Sequence, residues 1–149
     1  MPETIELELH LANEITIIDG DPNQIEQALL ALAVNARDAM PGGGKIIIET
    51  KRMILDDDFL QTQAGAVVGE CALITVSDTG LGLGHETLEH VFDPFYAKED
   101  NSEKTGLGLS MVYGIVKNHG GYISCSSKPK VGTTFMIYLP VTKKEAEID

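Results

Sequence analysis

Between Asp21 and Gly44 the chain carries a segment whose two ends are both fixed by residue chemistry. Asp21-Pro22 is an N-cap followed by proline at the first helical position, and Gln24, three residues after Asp21, completes a box-like start. Pro41-Gly42-Gly43-Gly44 stops the helix at the far end. Between these signals Ile25, Leu29, Leu32 and Ala36 recur at a helical spacing, with Ala28, Ala33 and Ala39 small enough for close packing. The pattern predicts a helix over residues 22 to about 40, with the polar residues Asn35, Arg37 and Asp38 gathered late. It runs directly into a β-branched strand, residues 45–51 (KIIIETK). A helix apolar along one stripe must lie against another layer, so this junction demands a sheet beside it.

The remaining pattern supplies that sheet. Residues 5–11 alternate Ile5, Leu7, Leu9 and Leu11 with Glu6, Glu8 and His10, which predicts a half-buried strand. Residues 15–18 read as a second short strand ending at Asp19-Gly20, and residues 70–77 (ECALITVS) as a buried one. A short helix is expected over residues 86–91. Residues 122–126 and 133–139 form an expected antiparallel hairpin around Pro129 and Gly132. Residues 52–69, with Asp56-Asp57-Asp58, read as a solvated excursion, and residues 97–104 as a mobile polar loop. The expected fold is an α/β (α+β) two-layer sandwich: a mixed sheet covered on one face by about three helices. One domain spans residues 1–141, and residues 142–149 form a charged tail.

Composition narrows the function. A formal net charge of −12 argues against nucleic acid and anionic membrane as partners, since both need basic patches. No apolar run is long enough to cross a bilayer, and the start MPETIELELH has neither a basic beginning nor an apolar signal core, so a cytoplasmic location is expected. Cys71 and Cys125 lie in strand-like runs and read as reduced core thiols. The three aspartates lack the glycine and distal glutamate of a calcium loop, and His85 and His90 are five apart, off the shared helical face that zinc ligands need.

Residues 105–121 (TGLGLSMVYGIVKNHGG) read as a glycine-rich loop feeding a helix in which Met111, Val112, Ile115 and Val116 keep a helical spacing until Gly120-Gly121. Such a loop is either an ordinary turn or an anion site, because residues without Cβ and first-turn N–H groups can close on a phosphate. The stretch matches neither the dinucleotide-binding fingerprint nor the P-loop.

Four features then fall in one order: Asn35 late on a helix, Asp78 at a strand end before Gly80 and Gly82, the GLGL loop from Gly106, and Gly132-Thr133-Thr134 before the last strand. The ordered set resembles the catalytic and ATP-binding domain of two-component sensor histidine kinases, within the superfamily that also holds gyrase, heat-shock chaperones and mismatch-repair ATPases. The wording of AVNARDAMPGGG, VSDTGLGL, VFDPFYAK and GTTFMIYLP is most similar to the nitrogen-regulation type, over roughly residues 17–140.

The resemblance implies a mainly antiparallel sheet, a mobile ATP lid, and ATP with Mg²⁺ as ligands. Asp78 would accept the adenine exocyclic amine, a contact that selects against guanine because guanine presents a carbonyl there. Gly80, Gly82 and Leu83 would let backbone approach the base, and Thr133 would steady the pocket through its hydroxyl. Asn35 would offer a neutral oxygen to Mg²⁺, or else simply cap its helix; Asp38 and Ala39 follow it along the same pocket wall. Thr105, Gly106, Leu107, Gly108 and Leu109 would supply the phosphate cradle. Lys98 stands where the family has a lid lysine, with Lys104 and Arg37 as further cations, and Phe92, Phe95 and Tyr96 would anchor the lid.

Two departures qualify the likeness. Ala31 stands where the family has an asparagine and the related ATPases a general-base glutamate, and Ser102-Glu103-Lys104 replaces the usual glycines of the lid. None of His10, His85, His90 and His119 sits in a phosphoacceptor motif. The expected partners are therefore a histidine-containing dimerisation domain of the same kinase and a response regulator, with the isolated chain a monomer. The alternative is a nucleotide-binding regulatory module without phosphotransfer.

Overall fold

The computed structural model describes residues 5–11, 20–55, 69–92 and 107–141. Its elements are β1 (Ile5–His10), α1 (Pro22–Asp38), β2 (Gly44–Leu55), β3 (Gly69–Asp78), α2 (His85–Glu89), α3 (Leu107–Asn118), β4 (Tyr122–Lys128) and β5 (Gly132–Pro140). The five strands lie in the order β1-β2-β3-β5-β4. β1 runs parallel to β2, as adjacent strands joined through a crossover helix must, and the other three pairings are antiparallel. This is the mixed, mainly antiparallel sheet with helices on one face that the sequence leads one to expect.

α1 and α3 pack on that face and against each other. Ala28, Leu32 and Ala36 of α1 meet Val112, Ile115 and Val116 of α3 over Ile46, Val76, Phe135 and Ile137. Leu32 and Val112 are fully enclosed, and enclosure of a side chain of Leu size contributes about 2 kcal/mol relative to exposure. Strand alternation sends Tyr138 and Met136 of β5 to the reverse face, where they join Cys71, Leu73, Met53 and Tyr122 in a smaller cluster. The Tyr122 and Tyr138 rings lie 5.9 Å apart there. Among the described residues no helix is long and apolar enough to cross a membrane.

The structure corrects several expectations. β1 is not half-buried: Leu7, Leu9 and Leu11 are 59%, 53% and 60% exposed, because β1 is an edge strand and α1 packs over β2 and β3. Its other face is fixed to the sheet by Glu8, which accepts from Lys45 Nζ at 3.1 Å and lies 2.6 Å from His10 Nε2. β2 continues past Lys51 to Leu55, where the local pattern fades, because β3 supplies a paired partner up to Leu55 opposite Gly69. α1 ends at Asp38 with Ala39 as its C-cap. The capping box does not form: Asp21 Oδ1 accepts the Asn23 N–H at 2.9 Å, and the Asp21 N–H is taken by His119 instead of Gln24. α3 starts at Leu107, so Leu107, Gly108 and Leu109 form its first turn rather than a loop. The expected strand at residues 15–18, the excursion beyond residue 55, the polar loop at 97–104 and the tail at 142–149 lie outside the described residues.

Candidate nucleotide-binding site

Asp78 is the last residue of β3 and stands opposite Thr133 in β5. It is only 7% exposed, and its carboxylate accepts backbone N–H groups from Gly80, at 2.8 Å to Oδ1, and from Thr133. Burial pushes the carboxyl above its ordinary value, and the two N–H donors pull it part of the way back. A carboxylate has about four lone-pair positions, so two backbone donors leave acceptor capacity for a ligand amine. The Thr133 hydroxyl bonds Ser127 Oγ at 2.8 Å, and the Thr133 N–H supports the carboxylate.

The loop after Asp78 is held from three sides. The Thr79 N–H donates to Lys45 O, and Thr79 Oγ1 accepts the Lys45 N–H at 3.1 Å, which joins this end of β3 to the start of β2. The Leu81 N–H donates to Ala39 O, at the C-cap of α1. The Lys130 N–H donates to Leu81 O, and the Leu83 N–H to Ser127 Oγ at 2.7 Å, which tie the loop to the β4–β5 hairpin. Ser127 Oγ also donates to Gly132 O at 3.0 Å, so one hydroxyl organises Leu83, Thr133 and the hairpin. A Cβ at Gly80 would strike the Ala39 carbonyl, and one at Gly82 the Lys128 carbonyl. The close approach that these glycines allow is thus between main-chain segments of the protein. Gly132, at φ 144, lies against Asp78 O and combines an unusual backbone with no room for a side chain.

Asn35 and Asp38 lie in the last turn of α1, one turn and one residue before Ala39. The Asn35 backbone carbonyl accepts the Ala39 N–H, while its carboxamide makes no hydrogen bond among the described residues and is not a helix cap. Asp38 pairs with Arg37 at 3.3 Å on the surface. Ala31 is half-buried against the core. In the first turn of α3, a Cβ at Gly108 would meet nothing within 4 Å, so no packing demand explains the glycine there.

Between α2, α3 and β4 lies a cavity of about 540 Å³, lined by Leu88, Glu89, Val91, Phe92, Ser110, Tyr113 and Cys125. Phe92 is packed against Tyr113 at 5.6 Å and Phe135 at 6.1 Å. The Cys125 thiol is pushed up to about 12 by burial and then by the negative charge of Asp78, which makes the cavity and the Asp78 carboxylate electrostatic neighbours. Contacts therefore run from Ala39 through the loop after Asp78 to Asp78, Thr133 and Ser127. Lys98, Thr105 and Gly106, with Phe95, Tyr96 and Lys104, lie outside the described residues. Thr79, Ser127 and Cys125 belong to the site without having been singled out from the sequence. Only strand alternation, which puts Ser127 and Cys125 on the helix-facing side of β4 with Ile123, could have marked the last two.

Comparison with known proteins follows the same geometry. Residues 20–143 match the model of the family described as histidine kinase-, DNA gyrase B-, and HSP90-like ATPase. The sensor kinase CckA of Brucella abortus (strain 2308) is 40% identical over 145 residues, 97% of this chain and 15% of that protein. Sporulation kinase E of Bacillus subtilis (strain 168) is 33% identical over 143 residues, 96% of this chain and 17% of that protein. Among solved structures, the nucleotide-free catalytic domain of histidine kinase ThkA superposes with a TM-score of 0.71 at 27% identity, covering 91% of this chain and 78% of that one. The chain thus spans about a sixth of the length of these two relatives. With a match over most of its length and the buried aspartate seated in the matching fold, the chain belongs to the family of histidine kinase-, DNA gyrase B- and HSP90-like ATPases.

Proposed function

We propose that this chain is the ATP-binding catalytic domain of a two-component sensor histidine kinase, passing the γ-phosphoryl group of ATP to a histidine on a separate dimerisation domain. The observation that carries the reading is Asp78: a buried carboxylate, held by two main-chain N–H groups and left with acceptor capacity, in a family of ATPases. The relatives that match most of the chain are named as a sensor kinase and a sporulation kinase.

In this reading Asp78 accepts the adenine amine, and Thr133, Leu83 and Ser127 hold the surrounding main chain. The first-turn N–H groups of α3 at Gly108 and Leu109, which have no helical partner, face the phosphates, and the open space over Gly108 leaves room for them. Thr105, Gly106 and Leu107 extend that cradle, and Lys98 adds positive charge from the lid. The unengaged Asn35 carboxamide fits Mg²⁺, which accepts one protein oxygen while keeping waters and phosphate oxygens around it. Bound there, the ion would offset phosphate charge; the chain's residues bind and orient.

The bond from the γ-phosphorus to the β–γ bridging oxygen breaks as the acceptor imidazole nitrogen bonds phosphorus, and ADP leaves. Catalysis of this step is positioning and electrostatics. Ala31 fits transfer better than hydrolysis, because water needs a base and an imidazole brings its own lone pair. The partners are the kinase's own dimerisation domain and a response regulator, the domain lies on the cytoplasmic side, and the isolated chain is a monomer.

The test is calorimetric titration of the chain with ADP and a non-hydrolysable ATP analogue, with and without Mg²⁺, followed by addition of a dimerisation domain and ATP. Micromolar, Mg²⁺-sensitive binding and an acid-labile phosphohistidine are expected. Absence of binding by a folded chain overturns the nucleotide reading. Binding without phosphohistidine leaves a regulatory nucleotide module, and steady hydrolysis by the chain alone makes it an ATPase.

A further inference from the structure

His119 follows α3 and makes two hydrogen bonds that fix its chemical state. Its Nε2 lies 3.0 Å from the backbone nitrogen of Asp21, a group that can only donate, so Nε2 must carry a lone pair. Its Nδ1 lies 2.8 Å from Ile115 O, which can only accept, so Nδ1 must carry the proton. The ring is therefore a neutral Nδ1–H tautomer. It satisfies the Asp21 N–H, which helix geometry leaves without a partner at the start of α1, and gives Ile115 O a second donor beside the His119 backbone N–H at 3.2 Å.

The bond joins the N-cap of α1 to the residue after α3, two helices that pack along each other. The start of one meets the end of the other, so the pair is antiparallel. Their opposite ends carry Asn35 on α1 and Gly108 on α3, about 20 Å along the helix axis from the clamp. α1 meets α3 on an apolar seam of Ala28, Leu32 and Ala36 against Val112, Ile115 and Val116, and such apolar contacts are non-directional. A directional bond at one end fixes the axial position for the other.

We infer that His119 is a positioning residue that sets the axial register of α1 against α3, and through it the placement of Asn35 relative to the first turn of α3. The inference rests on the nucleotide reading for its functional consequence and on the ring geometry for the clamp itself.

Two substitutions separate the bonds. His119→Asn keeps a donor near the Nδ1 position for Ile115 O and removes the reach to Asp21. His119→Gln places an acceptor near the Nε2 position. Loss of one side-chain to main-chain bond predicts roughly three- to tenfold weaker Mg–ADP binding for His119→Asn, with recovery to within about twofold for His119→Gln. Nitrogen NMR of the ring in the nucleotide-free chain should show Nδ1–H, and exchange of the Asp21 amide should quicken in His119→Asn and slow again in His119→Gln.

An Nε2–H or doubly protonated ring at neutral pH overturns the clamp. Equal Mg–ADP affinity in the wild type and both variants, with the tautomer as expected, overturns the positioning role. Failure of the wild-type chain to bind Mg–ADP removes the nucleotide reading and with it the positioning role, while the spectra still decide the clamp.

Discussion

Asp78 accepts the N–H of Gly80, two residues further along the chain, at 2.8 Å, so the turn after β3 closes on the carboxylate that it presents. Asp78→Asn keeps an acceptor oxygen for that N–H and removes the charge. A charge-assisted hydrogen bond contributes about 1.5–3 kcal/mol, so adenine-nucleotide affinity should fall roughly 10- to 150-fold in titration. Unfolding in urea at neutral pH should show no loss of stability, because burial of the charge already opposes the fold. Normal affinity in this variant would falsify the adenine contact.

The same carboxylate gives opposed pH slopes. Its value in the folded chain is raised above the ordinary 3.8, burial being the main cause. A raised group contributes stability that is fully present below the unfolded value and is lost as pH rises through the folded one. Nucleotide binding needs the ionised form and should strengthen over that same rise. Urea midpoints and ADP affinities measured from pH 4 upward should therefore move in opposite directions, and Asp78→Asn should flatten both. Slopes of the same sign would remove Asp78 as their common origin.

Glycines at the site divide into two kinds that substitution can tell apart. Gly132→Ala forces a Cβ onto the Asp78 carbonyl at a backbone angle foreign to side chains, and should cost about 3 kcal/mol or more in thermal unfolding. Gly108→Ala meets open space in a helical turn, where alanine is favoured over glycine by up to about 1 kcal/mol. Its melting temperature should hold or rise while nucleotide affinity falls. A Gly108→Ala variant that binds normally would leave the phosphates somewhere other than the first turn of α3.

How much of this was legible beforehand depends on whether the deciding partner was local. The ends of α1 were readable because Asp21-Pro22 and the Pro41–Gly44 run act within a few residues, and the place of Asp78 at a strand end was readable from the Gly80 and Gly82 that follow it. The alternation in β1 told which side chains share a face. Whether a helix covers that face is a property of the assembled layers, and Leu7 and Leu9 stand exposed. Asp21 shows the same limit: Gln24 offered the local partner for its N–H, and His119, 98 residues away, took it. Ser127 carried no local signal because the Leu83 N–H that it receives comes from 44 residues earlier.

Cys125 lines the cavity beside α3, yet its thiol is held near 12 by burial and by the Asp78 charge. At pH 8 the thiolate fraction is then about one in ten thousand, so iodoacetamide should leave Cys125 of the folded chain unmodified while labelling it in denaturant. The shift from 9.0 to about 12 contributes stability below the unfolded value that disappears as pH climbs towards the folded one. Rapid native-state labelling at pH 8 would mean that the thiol is neither buried nor close to the carboxylate.

Ser127 tests whether the loop after Asp78 depends on the hairpin. Its hydroxyl takes the Leu83 N–H, meets the Thr133 hydroxyl and donates to Gly132 O, so Ser127→Ala strands several part-buried polar groups at once. Each stranded group costs about 1–3 kcal/mol unless water replaces the partner. Ser126→Ala, at the exposed neighbouring position, should stay within about 0.5 kcal/mol of the wild type. If the hairpin only buttresses the fold, Ser127→Ala should lower the urea midpoint and leave the ADP affinity of the remaining folded chain unchanged. If it sets the position of Leu83 beside the Asp78 carboxylate, affinity should fall as well. The second outcome is expected, because Leu83 and Thr133 share this one hydroxyl and Thr133 supplies an N–H to Asp78.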